Sequence, residues 1–210
     1  DAVRLPVTAR QTARFLWAAL GSRDPERSIA RLGRTALRAR TGPESDVFDT
    51  VGRLLGEARD WPERELRITA VDARTGQVAA FGARSGVKLL EAVAASCAVP
   101  LVWPPVTVAG RRWMDGGSRS TANLQLAHGS RRILAIVPIP RAVGPHPSAA
   151  DQAARLTQDG ARVVLLSPDQ NARRAMGRNM ADTARGRAAA RAGYEQALRV
   201  VAEVAGTWGH

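Results

Sequence analysis

Asp115-Gly116-Gly117 carries the clearest chemical potential in this sequence. A carboxylate can take the proton of a serine hydroxyl when it lies within hydrogen-bonding reach, about 2.6–3.2 Å, and is itself held in place. Asp115 is expected to end a strand-like segment. The two glycines that follow permit positive φ and a close backbone approach, so the carboxylate can project from a tight turn into a cleft. Neighbouring backbone N–H groups would hydrogen-bond the carboxylate and keep it ionised. By itself the tripeptide is more often an ordinary surface turn. No nucleophile is evident, because no GxSxG elbow occurs in the 210 residues.

The other candidates are weaker. Ser96 lies in Ser96-Cys97-Ala98 and reads as a helix-end packing residue. Ser118 and Ser120 neighbour Asp115 in sequence, but neither sits in a strand–turn–helix elbow. Cys97, in an alanine-rich run, reads as a small buried residue rather than a reactive thiol. His128, His146 and His210 are isolated in sequence, and His128 suits a helix end better than a base. Asn123 is a candidate for a hydrogen bond near the Asp loop, with a helix-start role as the plainer reading. No Cys, His or Asp cluster has metal-ligand spacing. Gly82 to Gly86 reads as a helix-entry turn, not a phosphate loop.

The elements that must position Asp115 follow from periodicity and punctuation. The first sixty residues read as helices only. Thr8 and Gln11 form a capping-box pattern, and Asp24-Pro25 opens a helix with Ile29, Leu32, Ala36 and Leu37 on one stripe. Ser45 is expected to cap the next helix, which carries Val47, Phe48, Val51, Leu54 and Leu55. After Trp61-Pro62 the texture changes. Residues 66–71 and 77–81 predict a hairpin around Thr75-Gly76. Ser85 is expected to cap a helix with Leu89, Leu90, Val93, Ala94 and Cys97 facing a core. Residues 106–113 read as strand broken by a turn at Ala109-Gly110. Residues 133–137 and 163–166 read as buried parallel strands. Ser148 and Asp151 have capping-box spacing, Pro168 begins a short helix, and a long Ala/Arg-rich helix spans about 183–204.

Taken together, these segments resemble the second half of a patatin-like acyl hydrolase. In that family a helix ending in AxSCAxP is followed by an FPP-like element, a hairpin with G[RK]RYxDGG, and RSPTNxxLA. Here the matching residues are Ala95, Ser96-Cys97-Ala98 and Pro100, then Trp103-Pro104-Pro105. Gly110-Arg111-Arg112-Trp113 leads into Asp115-Gly116-Gly117, and Arg119-Ser120-Thr121-Ala122-Asn123 follows. Residues 68–76, ITAVDARTG, and 160–169, GARVVLLSPD, extend the likeness, which covers residues 62–193. Two departures are a Trp at 103 in place of Phe and the missing proline after Ser120.

The resemblance implies a three-layer α/β/α fold with a central, mostly parallel sheet. It implies one domain over residues 1–210, helical over 1–61 and α/β over 62–210, with the N-terminal strand and nucleophile elbow lost. It also implies a lipid acyl hydrolase acting through a Ser-Asp dyad, with Asp115 as the Asp and Gly116 and Gly117 as its motif turn. The partner would be a lipid or ester substrate, and no cofactor is implied. The rival readings are a degenerate, non-catalytic protein that acts by binding, and a basic surface-binding module.

Charge and composition narrow these choices. The net charge of +12 comes almost wholly from arginine, with Lys88 as the sole lysine. The arginines are scattered and few aromatic residues stand beside them, which argues against specific nucleic-acid binding. Attraction to anionic membrane surfaces fits the charge; the arginine-bordered helix at about 25–40 is a candidate for that contact or for covering the active site, with packing on a core as the plainer reading. No apolar run approaches the roughly 20 residues of a membrane-spanning helix. The expected compartment is the cytoplasm, with peripheral membrane contact. One cysteine excludes an internal disulfide framework.

Overall fold

A computed structural model describes residues 22–142, 144–177 and 182–208. The Thr8–Gln11 capping box and His210 lie outside the described residues. Two compact units are present: residues 22–120 with the segment ending at His146, and residues 121–141 with those from Pro147 onward.

In the first unit, helix α1 spans Pro25–Leu37. Asp24 caps it by accepting from the Arg27 N–H at 3.0 Å, and Pro25 opens the first turn. Its apolar stripe, Ile29, Leu32 and Ala36, is buried. Helix α2, Glu44–Leu55, starts from Pro43 rather than from a Ser45 cap. Proline presets the entering φ, and Glu44 and Asp46 place negative charge at the positive end of the helix. The Glu44 carboxylate also accepts from the Thr107 N–H at 2.7 Å and the Thr107 hydroxyl at 3.1 Å.

Strands β1 (Ile68–Asp72), β2 (Val78–Phe81), β3 (Val106–Val108) and β4 (Arg111–Asp115) form one sheet in the order β2-β1-β4-β3. Every pairing in it is antiparallel. For β1–β2 and β3–β4 the physical cause is local. Asp72 Oδ1 accepts the Arg74 and Thr75 N–H groups, which folds the chain straight back from β1 to β2. Ala109 and Gly110, both at positive φ, do the same between β3 and β4. Strands joined by turns this short can only run antiparallel.

Helix α3, Leu89–Cys97, covers one face of this sheet. It begins at Lys88, whose N–H donates to the Glu91 carboxylate at 2.8 Å, and not at Ser85. The Ser85 hydroxyl instead donates to the Gly82 carbonyl at 2.6 Å, closing the preceding turn. The core between α2, α3 and the sheet holds Val47, Val51, Ala92, Ala95, Val106 and Trp113. Phe81 and Trp113 meet edge to face with ring centres 5.1 Å apart. A second cluster on the other side buries Ile29, Leu32, Val71, Ala73 and Met114.

In the second unit, β5 (Arg132–Ile136) and β6 (Arg162–Leu166) pair in parallel. They are joined through α4, Ala149–Gln158, which starts with the expected Ser148–Asp151 capping box. Among the described residues parallel pairing occurs at β5–β6, a two-stranded sheet, so the expected central, mostly parallel sheet is not established. Nor is β5 buried on both faces. Ile133 and Ala135 are buried with α4, whereas Leu134 and Ile136 are exposed. Helix α5, Gln170–Met176, is capped by Asp169, and α6, Gly186–Trp208, follows a short 3₁₀ turn. An apolar cavity of about 320 Å³ lies among β5, β6, α5 and α6, lined by Ile136, Leu166, Met176, Ala189 and Val200 among others.

Candidate active site

Asp115 is the last residue of β4 and sits opposite Ala70 of β1. Its N–H donates to the carbonyl of Ala98, just past the end of α3, at 3.0 Å. The backbone is thus held from both sides before the side chain makes any contact. Oδ1 accepts from the Gly117 N–H at 2.7 Å, and Gly116–Ser118 form a single 3₁₀ turn. This is the one hydrogen bond to the carboxylate among the described residues, and it leaves Oδ2 open.

Burial pushes the Asp115 carboxyl up to about 6, with the Gly117 N–H pulling the other way. The expected backbone hydrogen bond is present, from Gly117, and the group stays mostly ionised at neutral pH although its pKa is raised. One N–H does bind it, but loss of solvation prevails. A carboxyl titrating near 6 is mostly ionised at neutral pH yet more basic than a surface Asp, which suits a general base.

The glycines act differently from the sequence expectation. Neither Gly116 nor Gly117 is among the residues at positive φ. Gly116 is required for close approach: a Cβ there would sit 2.5 Å from the Thr69 carbonyl oxygen and collide with Thr69 Oγ1. A Cβ at Gly117 would sit 3.0 Å from Asp115 Oδ1.

The other sequence candidates scatter. Ser118 and Ser120 are buried, and Ser96 is half-buried in the last turn of α3. Cys97 is exposed, against the expectation of a buried residue. Partial desolvation and then the nearby Asp115 charge push its thiol pKa up, away from the thiolate that reactivity needs. His128 ends a short 3₁₀ turn, Leu124–Ala127, and lies 3.9 Å from the Asp159 carboxylate. Asn123 belongs to the second unit, starts that 3₁₀ turn at φ 49°, and accepts from the Gln125 amide. Among the described residues no group of three His, Cys, Asp or Glu could hold a metal ion.

Asp72, Arg111 and Arg119, none of them a site candidate in the sequence, brace the sheet and the loop around the site. Asp72 is buried at the end of β1. Burial would raise its pKa, but the Thr75 and Arg74 N–H groups and Arg111 at 2.7 Å outweigh that and hold it low. Arg111 also lies over the Trp113 ring at 4.9 Å. Arg119, four residues after Asp115, forks onto the Glu26 carboxylate at 2.5 and 3.1 Å and reaches the Gly76 carbonyl at 3.3 Å. It clamps α1 to the loop that follows the DGG turn. His146 is not isolated in space. It is buried beside this ion pair, its Nε2 has no hydrogen-bond partner among the described residues, and burial and Arg119 lower its pKa against the pull of Glu26. A contact between residues 26 and 119 has no short-range sequence signal. The Asx turn at Asp72 did, in the pattern Asp-Ala-Arg-Thr-Gly.

The sequence model of the patatin-like phospholipase family matches residues 7–128, more than half of the chain. The chain therefore belongs to the patatin-like phospholipase family. That family acts on lipids as acyl hydrolases. The match reaches further toward the N-terminus than the motif likeness, taking in α1 and α2, and ends before β5. No curated protein matches the chain.

Proposed function

We propose that this chain supplies the acid–base half of a serine acyl hydrolase, with Asp115 as the base of a Ser-Asp dyad. The observation that carries the reading is the geometry of Asp115: a half-buried carboxylate at a strand end, anchored through Oδ1 and its own N–H, with Oδ2 open and a pKa raised to about 6. The nucleophile would be a serine in a GxSxG elbow, which these 210 residues do not contain.

The proton inventory is simple. The serine hydroxyl gives its proton to Asp115 as its oxygen bonds to the ester carbonyl carbon. The ester C–O bond then breaks, and the departing alkoxide takes that proton. An acyl-serine remains. Water next gives a proton to Asp115 as it attacks the acyl carbon. The bond between the acyl carbon and the serine oxygen breaks, and that oxygen recovers the proton as the fatty acid leaves. Asp115 needs no histidine partner, because a carboxylate of raised pKa can hold the proton itself.

The same absence favours a second reading for the 210 residues alone, namely that they bind without catalysis. Fluorophosphonate labelling separates these possibilities. The 210-residue chain should take up no label, whereas the protein joined to its GxSxG segment should be labelled at one serine. Stoichiometric labelling of Ser96, Ser118 or Ser120 in the short chain would contradict the assignment.

A further inference from the structure

The sequence makes the arginine-bordered helix at 25–40 a candidate membrane contact, and in the structure the apolar stripe of that helix is buried. Ile29, Leu32 and Ala36 of α1 are each 1% exposed, and Ile29 and Leu32 cluster with Val71, Ala73 and Met114. The exposed residues of α1 are Glu26, Arg27 and Arg34, all charged, with Pro25, Ala30, Thr35 and Leu37 half-buried.

Helix α6 has the opposite character. None of its 23 residues is buried. One face is partly covered and runs through Ala189, Gln196, Val200 and Val204. Gln196 fixes it, donating to the Ser167 carbonyl at 2.8 Å and accepting from the Asp169 N–H at 3.0 Å. Arg199 adds an ion pair to Asp169 at 2.6 Å. On the far side Tyr194, Leu198, Val201 and Trp208 are 67%, 58%, 58% and 44% exposed. At 100° per residue these four fall in one narrow sector, with Ala205 between them. Arg187 and Arg191 continue the same sector toward the N-terminal end, and neither forms an ion pair or hydrogen bond among the described residues. Glu195 and Glu203 lie off it.

We propose that this outer face of α6 is a docking surface for an anionic lipid membrane, on which the helix lies flat. The chemistry of the stripe selects that partner. Tyr and Trp carry an apolar body and a polar tip, which suits the boundary between acyl chains and headgroups. Leu198 and Val201 supply the apolar centre that enters that boundary. The two unpaired arginines match anionic headgroups, and the chain's net charge of +12 adds long-range attraction. The helix is built to lie on a bilayer and not to cross it, since no described helix is long and apolar enough to span one. The inference rests on the acyl-hydrolase reading for its purpose, but binding can be read without turnover.

The test is flotation of the full chain with vesicles of non-hydrolysable ether lipids, either zwitterionic alone or with about a third anionic phosphatidylglycerol. Binding should require the anionic lipid and weaken at high salt. Leu198→Gln with Val201→Gln should reduce it at least tenfold at unchanged melting temperature. Arg187→Gln and Arg191→Gln should each cost a factor of about five. Arg34→Gln with Arg38→Gln on α1 should change it less than twofold. A blue shift of tryptophan emission on binding should vanish in Trp208→Phe. Unchanged binding in the Leu198/Val201 variant would overturn the proposal. So would absent binding together with a concentration-dependent dimer that this variant abolishes, because the stripe would then be a contact between copies. Failure of Asp115 as a base would leave all these results untouched.

Discussion

The main-chain N–H of Asp115 donates to the carbonyl of Ala98 across a 3.0 Å contact. Two motifs far apart in sequence, Ala94–Pro100 and the DGG turn, are therefore one assembly. The helix end cannot move without the carboxylate. On its other side Asp115 faces Ala70 of β1 in antiparallel register. The position of the candidate base is set by backbone contacts, and only its protonation is set by side-chain surroundings.

Gly116 should tolerate no side chain, for a steric rather than a conformational reason. Its missing Cβ would lie 2.5 Å from the Thr69 carbonyl oxygen. Gly116→Val should cost about 1–3 kcal/mol or more as β1 and the turn are forced apart. Gly110 is the contrast. It has φ 73° and nothing within 4 Å of its absent Cβ, so Gly110→Ala should cost only about 1 kcal/mol. Urea midpoints of the two variants would check the order. An undisturbed midpoint for Gly116→Val would refute the close approach.

Asp115 should weaken the fold at neutral pH. Its folded pKa, about 6, lies above the ordinary carboxylate value of 3.8, so the native state holds the proton more tightly than the unfolded state. Below pH 3.8 both states are protonated and no penalty exists. Between 3.8 and 6 stability falls as pH rises, and above 6 the penalty is complete, at most about 3 kcal/mol. Asp115→Asn should therefore raise the melting temperature at pH 7.5 and leave it unchanged at pH 3.5. Equal shifts at both values would show that the carboxylate is not desolvated.

Asp72 should behave in the opposite sense. Its folded pKa is lowered, so its contribution is present above the unfolded carboxylate value and is lost as pH falls through the folded one. Asp72→Asn keeps the shape but loses the charge that holds Arg111 and two backbone N–H groups. A loss of about 1–3 kcal/mol at pH 7 is expected, narrowing in strong acid. Thermal melts of both proteins from pH 7 down to pH 2 measure this. A loss that does not depend on pH would point to packing alone.

Much of the local structure was legible because its causes are local. Asp24-Pro25, Ser148–Asp151 and Thr75-Gly76 each act within a few residues, and each sits where its spacing predicts. Ser45 and Ser85 failed because Pro43 and Glu91 set those helix starts instead. The strand directions were harder. Apolar runs such as 133–137 are equally consistent with one-sided and two-sided burial, and the exposure of Leu134 and Ile136 depends on which elements pack there. At the candidate site, Asp115 and the glycine turn were readable from motif spacing. The raised pKa, the Thr69 contact and the Arg119–Glu26 clamp were not, since each depends on residues brought together by the fold.

The most direct measurement is turnover of a short-chain nitrophenyl ester by this chain joined to a GxSxG segment of the family, with Asp115 intact or changed to Asn. Asn keeps the size and the Gly117 contact but cannot accept the serine proton. Loss of general-base help costs on the order of 10²–10⁴-fold in rate, and the upper end is expected where no histidine compensates. The kcat/KM profile of the unchanged protein should also rise with pH through about 6 as Asp115 ionises. Undiminished turnover by a folded Asp115→Asn protein would contradict the assignment of Asp115 as the base.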